Sequence, residues 1–225
     1  MRMEIDPRAS LEAAVAGDEA ALHLGEPCVR VSRLKERTLS LGVSQPATVP
    51  PALRAARAGL PVSRRLSGGV ALLHEEGDVL WSIILPRDSP LVGRDFVRAY
   101  PRLGEGVARA LGSRGVRAEW LPAPLSFPTY CLFSGKGFVL SGSRGALGGA
   151  SQHLTSKTLL HHGTLSTSLS PETLEALFDM PLSFVEQNLS CIAREGGGSS
   201  DGLLEDIAKS LSEAIGERER SPLGR

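Results

Sequence analysis

Short strand-like runs and amphipathic helical stretches alternate along this chain, and that interleaving limits its fold more than any other feature. Val29 and Val31 alternate with Arg30 and Ser32, Val79 to Leu85 is a largely apolar run, and Leu159 to Leu165 forms another short run. Helical pattern intervenes. Ser10 is placed to cap a helix over 11–24, Pro50-Pro51 opens one over 52–58, and Pro171 starts one through Leu177. Asp95 to Leu111 carries Ala99, Leu103, Val107 and Leu111 at helical spacing. Strands are expected over 29–34 and 38–41, paired through a turn near Lys35-Glu36, and residues 141–145 turn a loose hairpin. Residues 195–201 read as a flexible linker, and Leu204, Ile207, Leu211 and Ile215 define a closing helix over 202–217. Such a mixture predicts an α+β or mixed-sheet unit rather than a bundle or a sandwich. One unit over 1–225 is expected, with its core at about 10–190.

Composition narrows the functional classes. The 25 basic residues balance 25 acidic ones, so the basic excess typical of a nucleic-acid binder is missing. Cys28, Cys131 and Cys191 are an odd, widely spaced set, which suits a reducing cytoplasm and gives no metal-ligand spacing. No apolar run approaches the roughly 20 residues a membrane span needs, and the start lacks a signal core. A cytoplasmic protein with no nucleic-acid or membrane partner is the expectation.

Two small-residue segments could carry chemistry. In Arg64-Arg65-Leu66-Ser67-Gly68-Gly69, with His74 following, a Gly-Gly turn allows close backbone approach and the arginines suit a phosphate or carboxylate. The alternative is a basic surface loop with a tight turn. Gly148-Gly149-Ala150-Ser151-Gln152 precedes His161-His162-Gly163-Thr164-Leu165. Gln152 and His162 could hydrogen-bond a polar ligand, or the segment could be a glycine-rich strand crossing with a core histidine. Adjacent histidines on a strand face opposite ways, which argues against joint metal ligation.

The order of these pieces resembles the lipoate–protein ligase and octanoyltransferase family, within the superfamily that includes biotin protein ligases. Residues 64–86, RRLSGGVALLHEEGDVLWSIILP, are similar to the family's Arg-Arg-x-Thr/Ser-Gly-Gly-Gly-Ala-Val-x-His segment. Residues 147–165, LGGASQHLTSKTLLHHGTL, resemble its Lys-Ile-x-Gly-Ser-Ala-Gln and His-Gly-Thr/Ser-Leu pieces. Asp18-Glu19 and Leu41-Gly42-Val43-Ser44-Gln45 match earlier family positions, so the likeness covers about residues 10–190. It implies a mixed, largely antiparallel sheet backed by helices; the last helix, over 202–217, is too short to form an accessory C-terminal domain, and none is expected. The implied substrate is lipoate or octanoate, held as an adenylate or a thioester and passed to a lysine of a lipoyl carrier domain, with room for a separate accessory chain. The implied ligand-binding residues are Arg64, Arg65, Ser67, Gly68, Gly69, His74, Gly148, Gly149, Gln152, His162 and Gly163, with no metal ligands. ATP and Mg²⁺ are implied if the chain is a ligase, and neither if it is a thioester acyltransferase.

The pattern breaks in two places. The family lysine falls on Ala146, and the third glycine is Val70. A lysine there would face charge developing on the acyl carbonyl or adenylate, so an Ala146→Lys change is expected to raise activity. Lys136, Lys157 or Arg144 could replace it only if a loop folds back. Val70 is expected to narrow the pocket. One transferase class keeps its nucleophile where this chain has Leu159. Another keeps a cysteine upstream of the lysine position, and Cys131 lies 15 residues before Ala146. Cys131 is therefore the candidate nucleophile; a buried core cysteine is the alternative, and Cys28 and Cys191 are expected to be structural. Two functions follow: transfer or ligation of lipoyl or octanoyl groups, or non-catalytic binding of a lipoyl carrier domain or ligand as a scaffold or regulator.

Overall fold

The computed structural model describes residues 1–92, 96–199 and 201–220. Ten strands and six helices follow one another: β1 Arg2–Ala9, α1 Leu11–Leu24, β2 Cys28–Leu34, β3 Thr38–Leu41, α2 Pro50–Arg57, β4 Val62–Arg64, β5 Leu72–His74, β6 Val79–Pro86, α3 Phe96–Ser113, β7 Glu119–Pro122, β8 Phe138–Gly142, β9 Gly145–Leu154, β10 Thr158–Leu165, α4 Pro171–Phe178, α5 Leu182–Asn188 and α6 Leu203–Arg220. A 3-10 turn, Cys131–Phe133, precedes β8. Asp95 and Ser200 lie outside the described residues.

Seven strands form the main sheet in the order β1-β2-β6-β10-β9-β8-β7, and β4-β3-β5 form a second. Within the main sheet only β1 and β2 run parallel. The mixed, largely antiparallel sheet backed by helices is therefore present. The pairing expected for 29–34 with 38–41 is not. β2 joins β1 and β6, whereas β3 leaves for the small sheet between β4 and β5. A local turn signal cannot report that the strands on its two sides pair elsewhere.

The main sheet is covered on both faces, and strand alternation sorts its residues between them. One face carries Val29, Val31, Trp81, Ile83, Leu85, Leu147 and Leu165, packed with Leu103, Val107 and Leu111 of α3 and Leu204, Ile207 and Leu211 of α6. All of these are at most 4% exposed, so this face is a closed apolar layer. The opposite face meets α1, the small sheet and a second apolar cluster around Leu39, Phe133, Leu177 and Val185.

Glu195, at the start of the segment read as a linker, is held by the body of the fold. The Glu195 carboxylate accepts from the amides of Ser143 and Arg144 and from the hydroxyls of Ser143 and Ser190, tying this segment to the β8–β9 turn. Among the described residues, no helix is long and apolar enough to cross a membrane.

Candidate functional site

On the second face of the main sheet, two rows made mostly of short or polar side chains cross four adjacent strands, Leu80 being the exception. Registration aligns Arg30 of β2, Ser82 of β6, His162 of β10 and Ser151 of β9 in one row. It aligns Ser32, Leu80, Thr164 and Gly149 in the next. Small residues leave room where the closed face has bulk, and a cavity of about 80 Å³ occupies it, several times what one buried water needs. Leu11, Ala14 and Val15 of α1, Leu72 of β5, Leu132 and Phe138 supply apolar walls. Gly149 leaves space here that Leu132 fills: a Cβ would stand 2.7 Å from Leu132 Cδ2 and push that side chain aside.

At the β9 end stands Cys131, whose turn is anchored by its amide donating to the carbonyl of Ala71. It is partly exposed, whereas Cys28 and Cys191 are buried, and burial pushes the Cys28 thiol up. Arg65 Nη2 donates to Cys131 Sγ at 3.5 Å. The other Arg65 contacts, to Ser40 Oγ, Gly68 O and Val70 O, hold that guanidinium in place. Gly69 adopts φ 96°, the left-handed region, and brings the chain against both Arg65 and Cys131. Lys136, between Gly135 and Gly137 at φ 73° and 79°, lines the same cavity.

At the β2 end the lining turns ionic. Asp18 of α1 pairs with Arg30, and Ser82 Oγ donates to the same Asp18 oxygen at 2.7 Å. Arg30 also donates to Ala14 O at 3.1 Å and pairs with Glu4 at 2.7 Å. Burial pulls the Arg30 pKa down, but Asp18 and Glu4 more than reverse that, and the net shift is upward. His162 Nδ1 stands 3.6 Å from Asp18, and its Nε2 shares a 2.6 Å hydrogen bond with Ser67 Oγ. Between the two ends, His74 bridges Ser40 Oγ at 3.0 Å and Thr164 Oγ1 at 3.3 Å. Burial, reinforced by Arg65 and His162, pushes His74 down to about 3, so it is neutral near pH 7.

Of the residues singled out by sequence, Cys131, Arg65, His74, Gly149, His162 and Gly163 line this cavity. Ser67 reaches it through His162, and the Gly68 carbonyl holds Arg65 and accepts from Ser151 at 3.5 Å. Three residues stand apart. Arg64 Nη1 is held by the carbonyls of Gly42, Val43 and Gln45, on the outside of the small sheet. Gln152 pairs with His161 on the closed face, its Nε2 3.2 Å from His161 Nδ1, because alternation along β9 turns it away from Ser151. Gly148 serves the sheet: a Cβ there would overlap the Thr164 carbonyl of β10.

The two departures also resolve differently from expectation. Val70 does not line the cavity and contributes its carbonyl to Arg65, so its side chain does not narrow the space. Ala146 is 4% exposed, within the apolar cluster of Val139, Leu177, Val185 and Leu189. The loop that folds back is that of Lys136. Sequence reasoning passed over Arg30, Ser32, Ser40 and Ser82; their signal was a set of polar residues set between apolar ones in buried strands of the two sheets.

Comparisons with known proteins agree with this architecture. The chain is 30% identical over 132 residues to the octanoyltransferase LipM of an Exiguobacterium species, covering 54% of this chain and 47% of that relative. It is 27% identical over 213 residues to the LipM octanoyltransferase of Kyrpidia tusciae, covering 85% and 77%. Thus the match spans about half the length of the first relative. Among solved structures, lipoate-protein ligase A bound with ATP superposes with a TM-score of 0.76 at 20% identity, over 96% of this chain and 86% of that one. A biotin protein ligase from Aquifex aeolicus gives 0.51 at 11% identity, over 98% and 71%. At these identities the structures establish the fold. Residues 13–214 match the lipoyl protein ligase A/B catalytic domain, and the chain belongs to that family.

Proposed function

We propose that this chain is an acyltransferase that carries an octanoyl or lipoyl group as a thioester on Cys131 and passes it to a lysine of a lipoyl carrier domain. The observation that carries the reading is Cys131 Sγ at one end of an apolar-walled cavity, 3.5 Å from a fixed guanidinium nitrogen of Arg65. A sulfur nucleophile at the mouth of an apolar cavity is placed to take up an acyl group. In the first half-reaction Sγ bonds to the carbonyl carbon of an acyl thioester, the donor's carbon–sulfur bond breaks, and the donor leaves as a thiol with the proton from Cys131. In the second, the acceptor lysine's neutral amine forms the amide bond, the Cys131 carbon–sulfur bond breaks, and the amine's surplus proton returns to the thiol. Lys136 also lines this cavity, and in this reading its ammonium serves the oxygen charge that develops in both steps. It supplies from the loop before β8 what the family pattern supplies from the position of Ala146.

An adenylate route suits these residues less well. It would ask the arginine-glycine segment to hold phosphate oxygens, yet all three Arg65 side-chain nitrogens are engaged within the fold. Thioester transfer requires neither ATP nor Mg²⁺. A lipoyl carrier domain as acceptor is supported by the octanoyltransferase relatives, and by the fold likeness to a bi-partite lipoate protein ligase of Thermoplasma acidophilum (TM-score 0.73, 19% identity, over 96% of this chain and 84% of that one), described with its E2 lipoyl domain. Three free cysteines fit a reducing cytoplasm.

The test is mass spectrometry of an apo-lipoyl domain incubated with this protein. Octanoylation from an octanoyl-carrier-protein thioester without ATP is expected. Modification only from free octanoate or lipoate with ATP and Mg²⁺ would replace the thioester reading with ligation.

A further inference from the structure

The cavity runs from a nucleophile to a closed ionic end. Leu132, the chain neighbour of Cys131, sits over Gly149 of β9, whereas Arg30 and Asp18 meet above β2, three strands away in the order β9-β10-β6-β2. Strand spacing makes that roughly 14 Å. An extended chain advances about 1.2 Å per bond, so an acyl group on Cys131 with eight carbons brings its methyl to the neighbourhood of the ion pair, and a longer one must displace it.

The ion pair is held in place from several directions. Arg30 is tied to Glu4 and Ala14 as well as to Asp18, and Ser82 donates to Asp18 from below. Helix α1 also gives up a side chain for it: a Cβ on Gly17 would overlap the Arg30 guanidinium. An interior glycine costs a helix stability, and here it makes the seat for that guanidinium. Both charged side chains are about nine-tenths buried, at 12% and 11% exposed, so neither can swing into bulk water when a longer tail arrives.

We propose that the Arg30–Asp18 pair is a chain-length stop that restricts the cavity to medium-length acyl groups. This rests on Cys131 thioester formation as proposed above, and it concerns specificity rather than the chemical step.

The experiment follows Cys131 acylation by intact-protein mass spectrometry, using octanoyl, decanoyl, dodecanoyl and tetradecanoyl N-acetylcysteamine thioesters as probes. Wild-type protein is expected to accept octanoyl over dodecanoyl on the order of 10²-fold, the scale on which a closed pocket rejects added methylenes. In the double variant Asp18→Ala/Arg30→Ala, which removes both buried charges and leaves the exposed Glu4 to Arg2, that ratio should fall at least about tenfold. In Asp18→Leu/Arg30→Leu, which refills the end with apolar volume, it should stay within a few-fold of wild type. A wild-type protein that takes all four probes at similar rates overturns the proposal without any variant. So does an Asp18→Ala/Arg30→Ala protein that forms the octanoyl thioester but keeps the wild-type ratio. Failure of wild-type Cys131 to accept any probe would instead remove the thioester reading on which the stop depends.

Discussion

The two faces of the seven-stranded sheet are built from the same strands and do opposite things. Trp81 and Ser82 are neighbours in β6, and His161 and His162 are neighbours in β10. Trp81 and His161 point into the layer covered by α3 and α6, their rings 5.2 Å apart. Ser82 and His162 point to the cavity, where they meet Asp18. Both faces are well buried, so burial alone does not tell them apart. What separates them is residue size and polarity. Trp, Ile and Leu fill one face, and Ser, Thr, His and Gly leave space on the other. A face that could have been closed with larger apolar residues, and was not, is the strongest structural argument for a ligand.

The comparison predicts different failures from the two faces. Trp81→Ala should remove about 3–5 kcal/mol of stability, measured by denaturant unfolding, because α3 cannot settle into the hole. If its loss instead spared stability and abolished transfer, the assignment of that face to packing would break. Lys136→Ala should lower acyl transfer on the order of 10²-fold. Its stability should stay within about 0.5 kcal/mol of wild type, because the side chain is exposed at the cavity rim. Ala146→Lys, by contrast, places an ammonium among Val139, Val185 and Leu189 and should destabilise by roughly 1–3 kcal/mol without raising transfer.

Acid titrates both faces alike. His74 on the cavity side and His161 on the closed side are each pushed down to about 3 by burial, against an ordinary value of 6.5. The unfolded chain takes up these protons below pH 6.5 while the fold refuses them until about 3, so their stabilising contribution is present above 6.5 and lost as pH falls. Between pH 7 and 4 the unfolding midpoint of His161→Gln should therefore fall less, relative to its own value at pH 7, than that of the wild type. The smallest effect is expected at Ser82→Ala, which removes one hydrogen bond to Asp18 and should cost about 1 kcal/mol, against the several for its neighbour Trp81.

The sequence made the elements legible where local pattern decides them. Ser10 accepts from the Ala13 amide as the N-cap of α1, and β6 and β10 occupy the expected apolar runs. It could not show that β2 and β3 part into different sheets, because partner choice is set by tertiary packing. β1 was invisible for a similar reason. Its residues are mostly exposed and it pairs along one edge only, so Arg2–Ala9 carries little periodic signal. At the site, glycine-rich motifs pointed to Gly149, Gly163 and Arg65. Arg64 and Gln152, from the same motifs, lie away from the cavity, since a motif records order along the chain and not the face on which each member lands. Lys136 and the Arg30–Asp18 pair required three dimensions: the first belongs to a loop folded over the cavity, the second joins a strand and a helix.

The central claim is that the open face serves a thioester on Cys131. Its most direct measurement is intact-mass and peptide-mapping analysis of the protein after brief exposure to an octanoyl thioester, with no acceptor domain present. The account predicts a single octanoyl adduct on Cys131, discharged by hydroxylamine and absent from a Cys131→Ser variant under the same conditions. An adduct distributed over Cys28 and Cys191, or none on Cys131 while the protein still octanoylates a lipoyl domain, would contradict it.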